Sequence, residues 1–368
     1  MSRIVSFLAR RHEVRLLTWE ADDVEPFYSV PAHIPYIRAG LVGGRGLTRV
    51  RRILLRFAVV RRHVREFRPH VVLSFMDTMN LTALVACLGI RVAIVIAERI
   101  DIAQHEVSRG VNFARRLLYP LASRTVVQTN RIAKHFRETM RCRIAVIPNP
   151  IEGMSLCAQP MIPNAHGRFR IVALGRLDYQ KGFDLLIDAF ARIARRHAFW
   201  DLVIFGDGQE RETLLRQAEA LGIAARVSFA GMTRDPETEL AASHIMAFPS
   251  RYEGFPNALG EGLAAGLPAV GFGNVSGVED LIVDGLTGFL INPGAGSEAF
   301  TNALERLVED PDLRQRLGAA ARVHVGRWAS EMIFAQWESL LQRAANEVNG
   351  RKGSGFPDTK QDSRQVGV

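Results

Sequence analysis

The chain has 368 residues, 48% of them hydrophobic and 23% charged, which is enough for two cores and excludes a low-complexity or disordered class. Its net charge of +9 and pI near 10.1 point to an anionic partner or surface. Cys87, Cys142 and Cys157 are too few and too scattered for a disulfide scaffold or a cysteine metal centre, and they fit a reducing cytosol.

Ile4, Val5, Phe7 and Leu8 fit a short amphipathic helix ending near Arg11, and Val14 to Thr18 a strand. The run Ile4 to Ala9 is too short for a secretory signal, and arginines follow it. A doubly wound domain normally opens on a strand and a Gly-rich turn, so this one is expected to lack its first strand. Arg49 to Arg68 reads as a helix with Ile53, Phe57, Val60, Val64 and Phe67 on one stripe. Arg51, Arg62 and Arg65 lie roughly opposite, either as a solvated face or as a surface for anionic lipid. Val71 to Phe75 is a strand, followed by a loop with Asp77, Thr78 and Asn80 and a helix to Leu88. The apolar stretch Leu81 to Ala97 is split by Arg91 and reads as helix then strand rather than a membrane span. Strand Val92 to Ala97 ends at Glu98-Arg99-Ile100-Asp101, and polar residues at strand ends are where such folds bind ligands. Strands Arg124 to Gln128 and Ile144 to Ile147 complete a first domain over residues 1–150. The Pro/Gly/Asn-rich segment 151–167 reads as a linker.

Strand–helix alternation restarts over 168–325. Strand Ile171 to Leu174 leads into Gly175-Arg176-Leu177-Asp178-Tyr179-Gln180-Lys181-Gly182, then a helix burying Leu186, Ala189, Phe190 and Ile193. Strand Leu202 to Phe205 ends in Gly206-Asp207-Gly208, and strand Val227 to Ala230 in Gly231-Met232-Thr233. Strand Ile245 to Phe248 enters Pro249-Ser250-Arg251-Tyr252-Glu253-Gly254-Phe255-Pro256, and a helix begins near Asn257. A strand Pro268 to Phe272, a helix Val278 to Val283 and a strand Gly288 to Ile291 follow. A C-terminal helix covers 326–345, and the polar tail 346–368 is expected to be disordered.

Three of these loops carry candidate chemistry. A helix N-terminus at Asn257 favours an anion such as a diphosphate, and Glu253 and Glu261, eight positions apart, can accept from sugar hydroxyls. The plain alternative is a solvated loop charge at Glu253 and dipole compensation at Glu261. Arg176 and Lys181 can neutralise a diphosphate without metal, or be ordinary surface cations. Lys181 is notable because lysine occurs elsewhere only at Lys134, Lys352 and Lys360. Gly206 lets a ligand approach the backbone, although no Gly-x-Gly-x-x-Gly follows that strand. Asp310-Pro311-Asp312 spells the Asp-x-Asp of metal-dependent sugar transferases, but Pro at a helix start and Asp at a cap explain it. No His/Cys/carboxylate cluster has zinc spacing, and no Gly-x-Ser-x-Gly elbow occurs.

The run from Ser250 to Glu261, with its acid–seven residues–acid spacing, and the run Gly175 to Asp184 resemble the family 4 (group 1) retaining glycosyltransferases. The resemblance covers most of residues 2 to 345 and is strongest from Gly175 to Pro293. It implies the α/β GT-B fold, two facing Rossmann-like doubly wound domains with the donor nucleotide sugar on the second. It implies Arg176 and Lys181 on the diphosphate, Glu261 on the ribose, Glu253 facing the donor sugar as a catalytic group with Arg176 and Lys181, and the backbone of Gly254, Phe255, Pro256 and Asn257 closing over the donor. Gly175, Gly206, Met232 and Thr233 complete the expected donor site, and Asp77, Glu98 and Asp101 form the acceptor side. Gly260 and Gly262 stand where bulkier residues are usual in that family, which suggests a looser helix. No histidine motif of the usual acceptor-side kind is present; Glu98-Arg99-x-Asp101 takes its place.

The expectation is a retaining, metal-independent hexosyltransferase without cofactor, with a UDP-sugar favoured over a GDP-sugar. Its acceptor is a glycan or a polyprenyl-diphosphate-linked glycan of cell-surface polysaccharide or lipopolysaccharide synthesis. It is cytoplasmic, with the anionic inner face of the membrane as a further partner and no nucleic acid. A nucleotide-sugar-binding subunit without turnover and a nucleotide-sugar epimerase are the alternatives. The expected missing strand implies either a start upstream of Met1 or a first domain that folds poorly and transfers weakly.

Overall fold

The computed structural model describes residues 2–21, 30–41, 48–100, 108–350 and 365–367. They form two compact units, Met1–Ile147 with Glu331–Val368, and Pro148–Ser330.

The first unit runs α1 (Ser2–Leu8), β1 (Glu13–Thr18), β2 (Tyr36–Arg38), α2 (Arg49–Phe67), β3 (Val71–Phe75), α3 (Asp77–Ala86), β4 (Ala93–Ala97), α4 (Arg109–Leu118), β5 (Arg124–Val127), α5 (Asn130–Thr139) and β6 (Ile144–Val146). The strands of its sheet are parallel. β3 and β4 are buried at every position, which is why they read as unbroken apolar runs. Thr48 caps α2, its Oγ1 accepting from the Arg51 N–H at 3.3 Å. Val60, Val64 and Phe67 of the apolar stripe are buried, whereas Ile53 is exposed, so the stripe meets the core only in its C-terminal half.

The C-terminal helix α13 (Ser330–Asn349) returns to this unit and runs beyond the expected end at 345. Phe334 packs on Phe7 at 5.4 Å, Trp337 on Phe75 at 5.9 Å, and Glu338 bonds to Arg11 and His12. After it, Gln365–Gly367 forms β13, and the sheet order is β2-β1-β13-β3-β4-β5-β6. This corrects the expectation of a wholly disordered tail. The position beside β1 and β3 that was expected to be empty is filled by a C-terminal strand in parallel register, Val14 with Val366 and Val366 with Val71. Residues 351–364 lie outside the described residues.

The second unit runs β7 (Phe169–Leu174), α6 (Phe183–Arg196), β8 (Trp200–Phe205), α7 (Arg211–Ala220), β9 (Val227–Gly231), α8 (Pro236–Ala241), β10 (Ile245–Phe248), α9 (Asn257–Ala264), β11 (Ala269–Phe272), α10 (Val278–Leu281), β12 (Gly288–Ile291), α11 (Gly296–Glu309) and α12 (Pro311–Val325). Its sheet order is β12-β11-β10-β7-β8-β9. Leu186, Ala189, Phe190 and Ile193 of α6 enter the same core as Phe300, Leu304 and Leu307 of α11. From β7 the chain winds one way through β8 and β9, then returns to β10 on β7's other side. That reversal places the topological switch point, where open α/β sheets bind ligands, between the ends of β7 and β10. The expected linker is tied onto this unit: the Ile151 N–H donates to Trp328 O, and the Ala158 N–H to Ala265 O. Among the described residues no helix is long and apolar enough to cross a membrane.

Candidate functional site: the switch-point loops of the second unit

The loops after β7 and β10 meet at the switch point and are stapled together. The Arg251 N–H donates to Gln180 O at 2.8 Å, and the Gln180 side-chain amide donates to Tyr252 O at 2.9 Å. Arg251 also holds both carboxylate oxygens of Asp184, at 2.8 and 2.6 Å, and lies over the Tyr179 ring. Gly182 has φ 67, and a Cβ there would meet Pro249 O at 2.2 Å, so only glycine lets the loops approach this closely.

Lys181 Nζ donates to Glu253 Oε1 at 2.6 Å. Both are largely sheltered, with side chains 16% and 9% exposed. Lys181 stretches under Gly175, where a Cβ would touch its side chain at 3.0 Å. Arg176 is different: its side chain is 75% exposed and reaches Asp178 Oδ2 at 3.2 Å. The expected pair of diphosphate cations is therefore one sheltered ammonium and one exposed fork.

Gly206 sits at φ 139, and a Cβ there would overlap Gly175 O at 1.8 Å, which locks the end of β8 against the β7 loop. Met232 is 76% exposed, and the Thr233 hydroxyl accepts from the Asp235 N–H in a local turn. Gly254, Phe255 and Pro256 are buried and lead into α9, whose first N–H groups have no intrahelical partner. Asn257 is exposed and accepts from Asn149 at 2.8 Å. Glu261 is half-buried within α9. The structure thus gathers Gly175, Arg176, Lys181, Glu253 and the Gly254–Asn257 backbone onto adjoining loops, with Gly206 packed closely against the first of them. Gly260 and Gly262 do not loosen α9. Both are buried, and a Cβ would meet Ile151 Cδ1 at 2.7 Å and Met246 Cγ at 3.0 Å, so they let the helix pack tightly.

In the first unit, Asp77 and Glu98 converge on a residue the sequence reading missed, the buried Arg115, at 3.3 and 3.9 Å. Tyr119 Oη and Asn80 Nδ2 both donate to Glu98 Oε1. Burial pushes the Glu98 carboxyl above the usual carboxylate range. Arg115 Nε and Nη1 are buried and have no hydrogen-bond partner among the described residues. Met76, between β3 and α3, has φ 72, a strained conformation for a non-glycine residue. The pattern could not be read from the sequence because an arginine facing inward from an otherwise surface helix carries no periodic signal. Asp101 lies outside the described residues.

A separate group, His197 after α6 with Glu305 and Glu309 of α11, brings possible metal-ligand atoms within 4.8 Å of one another. Arg196 already bonds to Glu305 at 2.8 Å. The Asp310 of Asp310-Pro311-Asp312 caps α12, accepting from the Leu313 N–H at 2.8 Å.

Residues 1–150 match the glycosyl transferase 4-like domain, and residues 160–324 match the glycosyl transferases group 1 family. The lipopolysaccharide core biosynthesis glycosyltransferase LpsE of Rhizobium meliloti is 35% identical over 174 residues, 46% of this chain and 49% of LpsE. An α-1,4-N-acetyl-D-galactosaminyltransferase of Campylobacter jejuni, acting on a diphosphoundecaprenol-linked GalNAc glycan, is 24% identical over 93% of this chain and 94% of its own length. For LpsE and for an uncharacterized glycosyltransferase of Haemophilus influenzae, the matched stretch spans about half the relative's length, 49% and 48%. Sucrose-phosphate synthase of Thermosynechococcus elongatus superposes with a TM-score of 0.78 at 18% identity, over 93% of this chain and 91% of that one. Anabaena HepE in complex with UDP and glucose gives 0.72 at 19%, over 90% and 99%. These likenesses show the GT-B fold.

Proposed function

We propose that this chain, which belongs to the group 1 glycosyltransferases, moves a hexose from a nucleotide diphosphate sugar, a UDP-sugar before a GDP-sugar, onto a glycan or polyprenyl-diphosphate-linked acceptor. Polysaccharide or lipopolysaccharide assembly at the inner face of the membrane is the setting. The observation that carries the reading is the Lys181–Glu253 pair, held at the switch point beside the N-terminus of α9.

The sugar–phosphate bond breaks with negative charge building on the departing diphosphate. An ammonium has three donors, so Lys181 bonded to Glu253 keeps two for the phosphate oxygens. Arg176 swings from Asp178 to complete the clamp, and the first N–H groups of α9 face the same charge. The carboxylate of Glu253, fixed by Lys181, takes the hydroxyls of the donor sugar, and Glu261 those of the ribose. Transfer proceeds with retention and without metal. In the first unit the Asp77–Arg115–Glu98 group orients the acceptor. Its anionic carrier is approached through the arginines of α2, in peripheral attachment to the membrane.

The test is a panel of UDP- and GDP-sugars with a lipid-linked glycan acceptor, with and without chelator, and NMR of the product's anomeric centre. Transfer with retention in chelator supports the reading. Nucleotide binding without transfer favours the binding subunit, and interconversion of the donor alone favours the epimerase.

A further inference from the structure

The first unit exposes an apolar stripe that the sequence reading did not reach. On α4 and the turn that follows it, Phe113, Leu117 and Leu121 are 69%, 64% and 52% exposed. They recur every four residues and so share one side. Arg109 and Arg116 are exposed alongside them, and residues 109–121 contain no acidic side chain. The opposite side carries the packing: Arg115 and Tyr119 are buried, and Tyr119 stacks on Phe136 at 6.5 Å. α4 is thus tethered firmly by its polar inner face, while its outer face offers large apolar side chains to the surroundings.

From this arrangement we infer that α4 is a lipid-inserting element, and that its occupant is the surface of an anionic bilayer. The inference rests on the peripheral attachment proposed above and names the surface that makes it. Charge complementarity selects the occupant. Arg109 and Arg116 accompany the apolar stripe, and the described residues 108–121 carry no carboxylate to repel lipid phosphate. The companion helix α2 has the same character in its N-terminal half, where Val50 and Leu54 are 66% and 59% exposed next to exposed Arg51. α3 packs against both α2 and α4, so the three helices cover the same face of the sheet. A basic face with protruding Phe and Leu binds by insertion plus attraction, which predicts dependence on both apolar contact and anionic lipid.

The experiment measures sedimentation of the full chain with phosphatidylcholine vesicles and with vesicles of equal parts phosphatidylcholine and phosphatidylglycerol. Wild type is expected to bind the anionic vesicles and release them in high salt. The double variant F113S/L117S should bind at least about tenfold more weakly, since each inserted apolar side chain contributes a factor of that order. R116Q should weaken binding about fivefold at low salt. Melting temperatures of both variants should equal that of wild type, because these side chains face outward. If wild type binds and F113S/L117S binds equally well, α4 is not the inserting element although attachment stands. If wild type binds neither vesicle, attachment itself is wrong, while sugar transfer to a soluble acceptor still tests the enzyme reading. If the double variant instead abolishes self-association in lipid-free solution, the stripe is an interface between copies and the inference is overturned.

Discussion

Lys181 Nζ and Glu253 Oε1, 72 residues apart in the chain, meet at 2.6 Å where the loops after β7 and β10 converge. Each is the other's counter-charge in a mostly sheltered place. Removing one partner therefore does two separable things: it leaves the other charge poorly compensated, and it takes a group out of the site.

The first prediction separates them. Lys181→Ala should slow sugar transfer about 100-fold or more, because one preorganised charge contact is worth about 3 kcal/mol in the transition state. It should also lower the melting temperature, since Glu253 loses its partner. Adding Glu253→Gln should restore much of the stability and none of the activity. Melting curves and initial rates on the two variants check this. A double variant that regains transfer would show the pair to be structural only.

Gly206 gives a second prediction. Alanine there must adopt φ 139 with its Cβ inside Gly175 O, so the β7 loop has to move. The backbone strain alone costs about 1–3 kcal/mol. Gly206→Ala is expected to lower stability by at least that much and to weaken nucleotide binding. Gly222→Ala is the control. It too has positive φ but meets nothing within 4 Å, so it should cost about 1 kcal/mol and leave binding unchanged. Calorimetric titration with UDP reads the difference.

The third prediction concerns acid. His244 accepts from the Arg170 N–H on Nδ1 at 2.9 Å, and its Nε2 bonds to Ile162 O at 2.7 Å, so the ring is held neutral with its proton on Nε2. Burial, then the nearby Arg314 and Arg170, lower its pKa below the ordinary histidine value. The unfolded chain thus binds a proton that the fold resists. The stability this histidine contributes is present above its unfolded pKa, near 6.5, and is lost as pH falls through the lower folded value. Melting temperature of wild type should decline below about pH 6.5, and His244→Gln should flatten that slope while lowering stability at pH 7.5.

What the sequence disclosed follows from how each element is buried. β3, β4, β8 and β10 are covered on both faces and therefore stand out as apolar runs. The loops around Gly175–Gly182 and Ser250–Asn257 were legible because glycine, proline and charge cluster at strand ends. α4 was not, because its pattern is inverted: Phe113 and Leu117 face out and Arg115 faces in. β2 is three half-buried residues, too short for any period to emerge. The Lys181–Glu253 bond and the meeting of Asp77 and Glu98 at Arg115 are tertiary, and no local spacing encodes them.

β13 is the clearest case of a feature invisible in sequence, and it supports the last prediction. Gln365, Val366 and Gly367 lie in a polar tail, yet they pair with Glu13, Val14 and Arg15 on one side, and Val366 and Gly367 with Val71 and Val72 on the other. Without them β1 and β3 would present facing rows of N–H and C=O groups in the middle of a sheet, at about 1–3 kcal/mol for each group left buried and unpaired. The strand is short, and a cavity of about 90 Å³ lies nearby among residues of β1 and β3, including Arg15, Leu17, Val72, Leu73 and Phe75. Removing residues 350–368 should therefore lower the melting temperature and speed hydrogen exchange at the amides of β1 and β3. Exchange in β7 and β10, and nucleotide binding at the switch-point loops, should be unchanged. Val366→Pro in the full chain should reproduce the exchange effect, since proline removes a backbone N–H from the middle of the strand without shortening the tail. If the truncated and full chains exchange alike at Val14 and Val72, the tail contributes no pairing and β1 must close on β3 by itself.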